Sequence, residues 1–493
     1  MHVGQAGARQ TDAGQTDAGQ ADAGQVGRKE GDNAMIAPTM HVATEGGRDV
    51  NTARAVKSLS EAVQVRTVSF SDPTLMDLSE FDRFHALLER LYPLTHKRLR
   101  KTALGHSLSY LWKGSDTSHG NQGNKPVALM SHMDVVPADE DGWEYPPFSG
   151  AVANGYVWGR GSIDMKYGLV TILEAIEELL EEGFVPPRDI YVISTCDEET
   201  GGQGSICQIA ERLGSEGVRF DWVLDEGGVV GEGMMPGLDK PLAVVGVAEK
   251  GYLDLELSVE MEGGHSSMPG RITSVGLLSQ AIARLAAKQM PSRIVSPVRE
   301  FFRQVSPYVG FGRRLVFANT SLFAPLIKRV MLGSPETAAM IRTTTAPTMI
   351  SGSAKPNVLA ARASAVINFR LLPGDTTRDV VSHVSNAVGD DRVQIKVLAE
   401  SPASTVSPMD GAGFRLIEEC IDQYYPDAVA VPYLLTGSTD SRSLEPLASG
   451  VYRFTPCRLT KKDIARMHGV NERVSTENIE IAVKFFKTIM TKA

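Results

Sequence analysis

The strongest chemical signal in this 493-residue chain is one imidazole and five carboxylates in four short motifs. They are His132 and Asp134 in SHMDVVP, Asp164 in GRGSIDMKYG, Glu198 and Glu199 in CDEETGG, and Asp225 in DEGG. No cluster of Lys or Arg accompanies them. Gathered at one place, so much negative charge calls for cations. Mixed His and carboxylate ligation suits zinc, with manganese or cobalt as alternatives. Taken singly, each motif has a plainer reading. A lone His after a strand is more often structural, and Asp134 can cap a turn. Asp164 before a helix reads as an N-cap. The two glutamates suit a solvated loop, and Asp225 beside Glu226 and two glycines suits a turn. What outweighs these readings is four such motifs at four successive strand or turn ends.

The elements that position them follow from apolar periodicity. Helices are expected over residues 52–65 and Leu78–Leu91. Short apolar runs at 126–130, 190–195 and 222–224 read as strands running straight into the motifs, and Tyr156–Trp158 precedes GRGSIDMKYG. Leu169, Ile172, Leu173, Ile176, Leu179 and Leu180 recur at helical spacing, with Glu174, Glu177, Glu178 and Glu181 between them. Strands alternating with helices predict an α/β fold, a mostly parallel sheet flanked by helices. In such sheets ligands bind beyond the carboxyl ends of the strands, so residues far apart in sequence can meet there. The texture changes at Gly251. Leu253, Leu255, Leu257 and Val259 alternate with Asp254, Glu256, Ser258 and Glu260, the pattern of a half-solvated strand. A second alternating run, Ala363 to Phe369, ends at Arg370. The expected division is a first domain of residues 50–247 and 403–493, with an inserted α+β domain at 250–400.

Composition narrows the class. The formal net charge of −9 argues against nucleic acid or an anionic membrane as the main partner. No run approaches the ~18 apolar residues of a spanning helix, and the N-terminus lacks a signal-type apolar core. Four cysteines in so long a chain, none in a CxxC pair, are no disulfide framework and fit a cytoplasmic protein. Cys196 reads as a buried small residue, with no role required of it as a nucleophile. Residues 1–34 contain no Leu, Phe, Tyr or Trp and hold the repeat QTDAGQTDAGQADAG, so a disordered tail is expected.

HMDVVP, GRGSIDMKYG, DEETGG, DEGG, GGHSSMP, NFRLLPG, TGSTDSR and MHGVNE occur in one order. From about residue 50 to the C-terminus the chain resembles the M20 family of co-catalytic metallopeptidases and aminoacylases. Its nearest branch is the carboxypeptidase S-like and N-acyl-amino-acid hydrolase one. The resemblance implies a zinc-peptidase-like catalytic domain, an inserted dimerisation and lid domain, two divalent metal ions and a homodimer. It assigns His132 and Asp225 to one metal, Glu199 and His468 to the other, and Asp164 as the bridge. Asp134 would orient His132, and Glu198 would be the general base. His265 in GGHSSMP would reach a partner subunit's site and stabilise the oxyanion. Asn357 and Arg370 would hold the substrate carboxylate. Gly437 belongs to a motif whose usual second glycine is here Ser438.

The implied reaction is hydrolysis of an amide beside a free carboxylate, on a small peptide or an N-acyl amino acid. A dipeptidase and an N-succinyl-amino-acid deacylase are the same-class alternatives. A catalytically dead scaffold predicts a broken ligand or a lost base, and none is broken here. The five phenylalanines of segment 301–323 either line an apolar acyl or side-chain pocket or pack the inserted domain or a subunit contact, and packing is the commoner outcome.

Overall fold

Short apolar runs bounded by turns build an eight-stranded sheet. The computed structural model describes residues 50–116, 124–201 and 204–493, so the expected tail lies outside the described residues. The strand order is Arg100–Leu104, Ser107–Trp112, Ile190–Ser194, Val127–Met130, Trp222–Gly231, Val451–Leu459, Leu242–Glu249, Val429–Leu435. Val127–Met130 runs parallel to both its neighbours. Trp222–Gly231 is parallel to Val451–Leu459, and Leu242–Glu249 is parallel to Val429–Leu435. An antiparallel hairpin closes one edge. Such near-continuous burial is what a sheet covered on both faces requires.

Helices Thr52–Val63, Lys166–Glu181, Ala412–Tyr424 and Thr476–Lys492 cover one face, and Ser205–Ser215 packs on the other. Leu169, Leu173 and Ile176 are fully buried, each stabilising by roughly 1.5–3 kcal/mol. Glu174, Glu177 and Glu178, which lie between those apolar residues on Lys166–Glu181, are buried as well. Neighbouring elements explain it: Glu177 accepts the N–H groups of Leu94 and Thr95, and Glu178 pairs with Lys487 at 2.8 Å.

A second, four-stranded antiparallel sheet runs Thr344–Ser351, Arg362–Leu371, Gly251–Glu260, Val393–Ser401. Helices Ser274–Ala287 and Thr377–Val388 cover one face, over Leu253, Leu255, Leu257 and Val259. The stretch between these halves behaves differently from the expectation. Helices Ser296–Val305, Phe311–Ala318 and Ala324–Met331 border the large sheet, packing on Ala248, Val431 and Leu434. Phe301, Phe302, Phe317 and Phe323 are spent in that packing, while Phe311 is exposed. No helix among the described residues is long and apolar enough to cross a membrane.

Candidate active site

The carboxyl ends of Val127–Met130 and Ile190–Ser194, a bulge within Trp222–Gly231 and the loop after the short strand Tyr156–Trp158, which lies in a separate three-stranded sheet, bring the four motifs together. His132 lies two residues past Val127–Met130 and is buried. Its Nδ1 is 2.9 Å from the Asp134 carbonyl, which accepts the ring N–H and leaves the Nε2 lone pair facing inward. Nε2 looks onto two carboxylates, Asp164 Oδ1 at 3.1 Å and Glu226 Oε2 at 3.4 Å. Asp164 Oδ2 lies 3.0 Å from His468 Nε2, and Glu199 Oε2 lies 3.1 Å from the same nitrogen. Asp164 therefore spans two imidazoles, one oxygen to each. His468 has φ +59°, an uncommon conformation for a residue with a side chain and one concentrated at functional sites.

Asp134 is fully buried and does two jobs. Its carbonyl fixes the His132 ring, and its carboxylate accepts the N–H groups of Glu198 at 3.3 Å and Glu199 at 3.2 Å. Ser69 Oγ donates to it at 2.7 Å. The Glu198–Thr200 turn is thus held from below, and its two glutamates diverge. Glu199 turns to His468. Ligand atoms of Glu198, His132 and Glu226 all lie within 4.8 Å of one another.

Electrostatics at this place are those of a cation site. Asp134, Asp164, Glu198, Glu199, Asp225, Glu226 and Asp440 crowd there, and among the described residues none forms an ion pair with Lys or Arg. Burial pushes Glu198 up to about 10 and Glu226 up to about 7, the latter opposed by His132. Burial also raises Asp440. Burial works against charge on His132, but Glu226, Asp134 and Asp164 outweigh it and hold that ring well above its ordinary value. His468 is raised to about 10 by its hydrogen bonds to Asp164 and Glu199. Buried Glu199 Oε1 has no hydrogen-bond partner. An orphaned carboxylate oxygen beside two imidazole nitrogens is a donor set that fits divalent metal.

The structure departs from the expectation at Asp225. That carboxylate is satisfied by main chain: Oδ2 accepts from Ser441 N–H at 3.0 Å and Oδ1 from Glu226 N–H at 2.9 Å. It is Glu226 that faces His132. The cause is a bulge. Pairing with Val451–Leu459 jumps from Asp225 to Gly228, leaving Glu226 and Gly227 unpaired. Gly227 has φ +133°, which a residue with a side chain rarely adopts. A Cβ on Gly228 would come within 1.7 Å of the Val244 carbonyl, so the pair of glycines is what permits the bulge.

Glu472, in MHGVNE, also went unseen as a site residue. It is fully buried, pairs with Arg160 Nη1 at 2.5 Å and accepts the N–H groups of Gly161, Ile163 and Asp164 on Oε1. Arg160 in turn reaches the Gly469 carbonyl at 3.1 Å. The loops carrying Asp164 and His468 are thereby tied to each other. Glu472→Ala should lower stability by about 3–5 kcal/mol, since it leaves Arg160 buried and unpaired. Metal affinity should fall with it. Denaturant unfolding and metal analysis check both, and an unchanged metal affinity would contradict this role.

The remaining expected residues lie on other elements. His265 is exposed on a two-stranded ribbon, paired in register with Val358; its Nδ1 meets Ser267 Oγ at 2.7 Å. The Asn357 carbonyl accepts from Ser266 N–H at 3.1 Å, so His265 and Asn357 are neighbours. Among the described residues neither forms a hydrogen bond or ion pair with the acidic cluster. The Arg370 guanidinium stacks 4.9 Å over the Tyr252 ring. Arg442, after the exposed Gly437 turn, donates to Ser438 Oγ at 3.3 Å and keeps a buried Nη2 without partner. Burial lowers Arg442 below its ordinary value, and Arg370 is among the charges that add to this. Cys196 accepts from Ser107 Oγ, and burial pushes its thiol up to about 11, so it is no thiolate nucleophile.

A mixed α/β sheet with an inserted antiparallel domain, carrying paired imidazoles among carboxylates, defines a metallopeptidase-type hydrolase. The profile of peptidase family M20/M25/M40 matches residues 128–492. The probable carboxypeptidase S-like 2 of Dictyostelium discoideum is 38% identical over 436 residues, 87% of this chain and 83% of that protein. The N-fatty-acyl-amino acid synthase/hydrolase PM20D1 of Mus musculus is 38% identical over 438 residues, covering 87% and 86%. In fold, the chain is similar to the M20 family metallo-carboxypeptidase Sso-CP2 of Sulfolobus solfataricus (TM-score 0.62, 17% identity, 89% and 98% covered). The chain belongs to peptidase family M20/M25/M40 and is a hydrolytic enzyme acting on peptide or amide bonds.

Proposed function

We propose that the chain is a co-catalytic two-metal hydrolase that cleaves an amide next to a free carboxylate, as a carboxypeptidase or N-acyl-amino-acid hydrolase. The observation that carries this is Asp164, whose two oxygens face the Nε2 atoms of His132 and His468. His132, Asp164 and Glu226 would hold one ion; Asp164, Glu199 and His468 the other. Zinc bound there, or cobalt or manganese in its place, supplies a Lewis acid and an acidified water.

The protein's own groups do the rest. With cations beside it to offset the rise that burial causes, Glu198 takes the proton of the attacking water and passes it to the departing amide nitrogen. Asp134 keeps His132 in one tautomer and fixes the turn on which Glu198 stands. His265, presented on its exposed ribbon by a second subunit of a homodimer, donates to the developing oxyanion. Arg370 and Asn357 receive the substrate carboxylate, with Gly437 leaving its turn open beside them; the unpaired Arg442 Nη2 supports an anion-accepting face there.

A substrate panel with metal-loaded protein tests the reading: dipeptides, longer peptides and fatty-acyl amino acids, each beside its C-terminal amide. Only the free acids should be hydrolysed, with chelator abolishing turnover and zinc, cobalt or manganese restoring it. Equal cleavage of the amides, or turnover that survives chelation, would overturn it. Relative rates across the panel separate carboxypeptidase from N-acyl-amino-acid hydrolase.

A further inference from the structure

The helices bordering the large sheet leave a face that the hydrolytic reading does not use. Phe311 is 85% exposed, Leu322 76% and Val330 69%, with Leu315, Leu326 and Leu332 also exposed. Leu326 and Val330 are four residues apart on Ala324–Met331, beside the buried pair Ile327 and Met331 that anchors the helix. Phe311 and Leu315 repeat that spacing on Phe311–Ala318, so each helix turns an apolar stripe to solvent, and such stripes mark interaction sites.

Its charge is distinctive too. Residues 301–335 contain Arg303, Arg313, Arg314, Lys328 and Arg329 and not one Asp or Glu, in a chain of net charge −9. Arg303 is paired with Glu300. Among the described residues Arg299, Arg314, Lys328 and Arg329 form no ion pair with a carboxylate.

We propose that this face docks on an anionic phospholipid surface, with Phe311, Leu322, Leu326 and Val330 entering the interface and Arg314 and Arg329, each three residues on from an apolar side chain of its helix, meeting lipid phosphates. Exposed apolar side chains ringed by basic ones are the chemistry of helices that lie in a membrane interface. A second copy of the chain fits less well. A symmetric dimer sets the same patch against itself, so the unpaired cations would face each other without an acid between them.

Co-sedimentation of the full chain with phosphatidylcholine vesicles, with and without phosphatidylglycerol, tests this. Binding should require the anionic lipid and fall as salt rises. The double variants Leu326→Glu/Val330→Glu and Arg314→Glu/Arg329→Glu should each weaken it by about tenfold or more, while hydrolysis of a soluble substrate stays unchanged. Four outcomes would overturn it: no binding, equal binding to neutral vesicles, binding that survives both variants, or inorganic phosphate binding the chain while vesicles do not. A fifth is that either double variant turns a dimer into a monomer on light scattering, which would make the face a subunit contact.

Discussion

Glu198→Gln is expected to keep the fold and the full metal content of the wild-type protein while losing about 10²–10⁴-fold in kcat. The amide matches the carboxylate in shape, so the turn held by Asp134 has no reason to move. What it cannot do is accept the proton. The proposed carboxylate contacts of Arg370 and Asn357 are not altered by this change, so KM should change little, and the loss should sit in kcat. Steady-state kinetics beside metal analysis check this. An emptied metal site in this variant would make Glu198 a ligand and leave the base unassigned.

The second large effect separates two adjacent acids. Glu226→Gln should drop the chain from two ions to one and abolish most activity. Partners one step removed from a metal typically change affinity about 10–100-fold, and a direct ligand should cost at least that. Asp225→Asn should keep both ions, because Asp225 is engaged by the N–H groups of Ser441 and Glu226. Its cost should appear as stability, about 1–3 kcal/mol for a weakened buried acceptor. Metal titration of both variants decides it. The reverse pattern, with Asp225→Asn losing an ion, would restore the assignment that the motif alone suggests.

That reversal shows where sequence reasoning stops. Apolar runs leading to His132 and Glu198 were readable because a buried strand must be apolar and its end must turn, whereas the run at 222–224 does not end at Asp225 but continues through DEGG to Gly231. The alternation from Leu253 to Val259 was readable because one face of that sheet is wet. Which of two neighbouring acids faces the site depends on a bulge, and DEGG reads equally well as a simple turn. Glu472 was invisible for another reason: its partners Arg160, Gly161, Ile163 and Asp164 lie about three hundred residues away. Helices over 296–331 were placed with the inserted domain by continuity of chain, whereas their buried faces match the edge of the large sheet. A total of −9 also conceals a local stretch, residues 301–335, with no acid at all, which a reading of net charge alone passes over.

The central claim is a pair of ions sharing Asp164, and anomalous diffraction from zinc-loaded crystals tests it most directly. Two zinc peaks should appear roughly 3.5–4 Å apart. One should touch His132, Asp164 and Glu226, and the other Asp164, Glu199 and His468. A single peak, or two peaks with Asp164 on only one of them, would contradict the account.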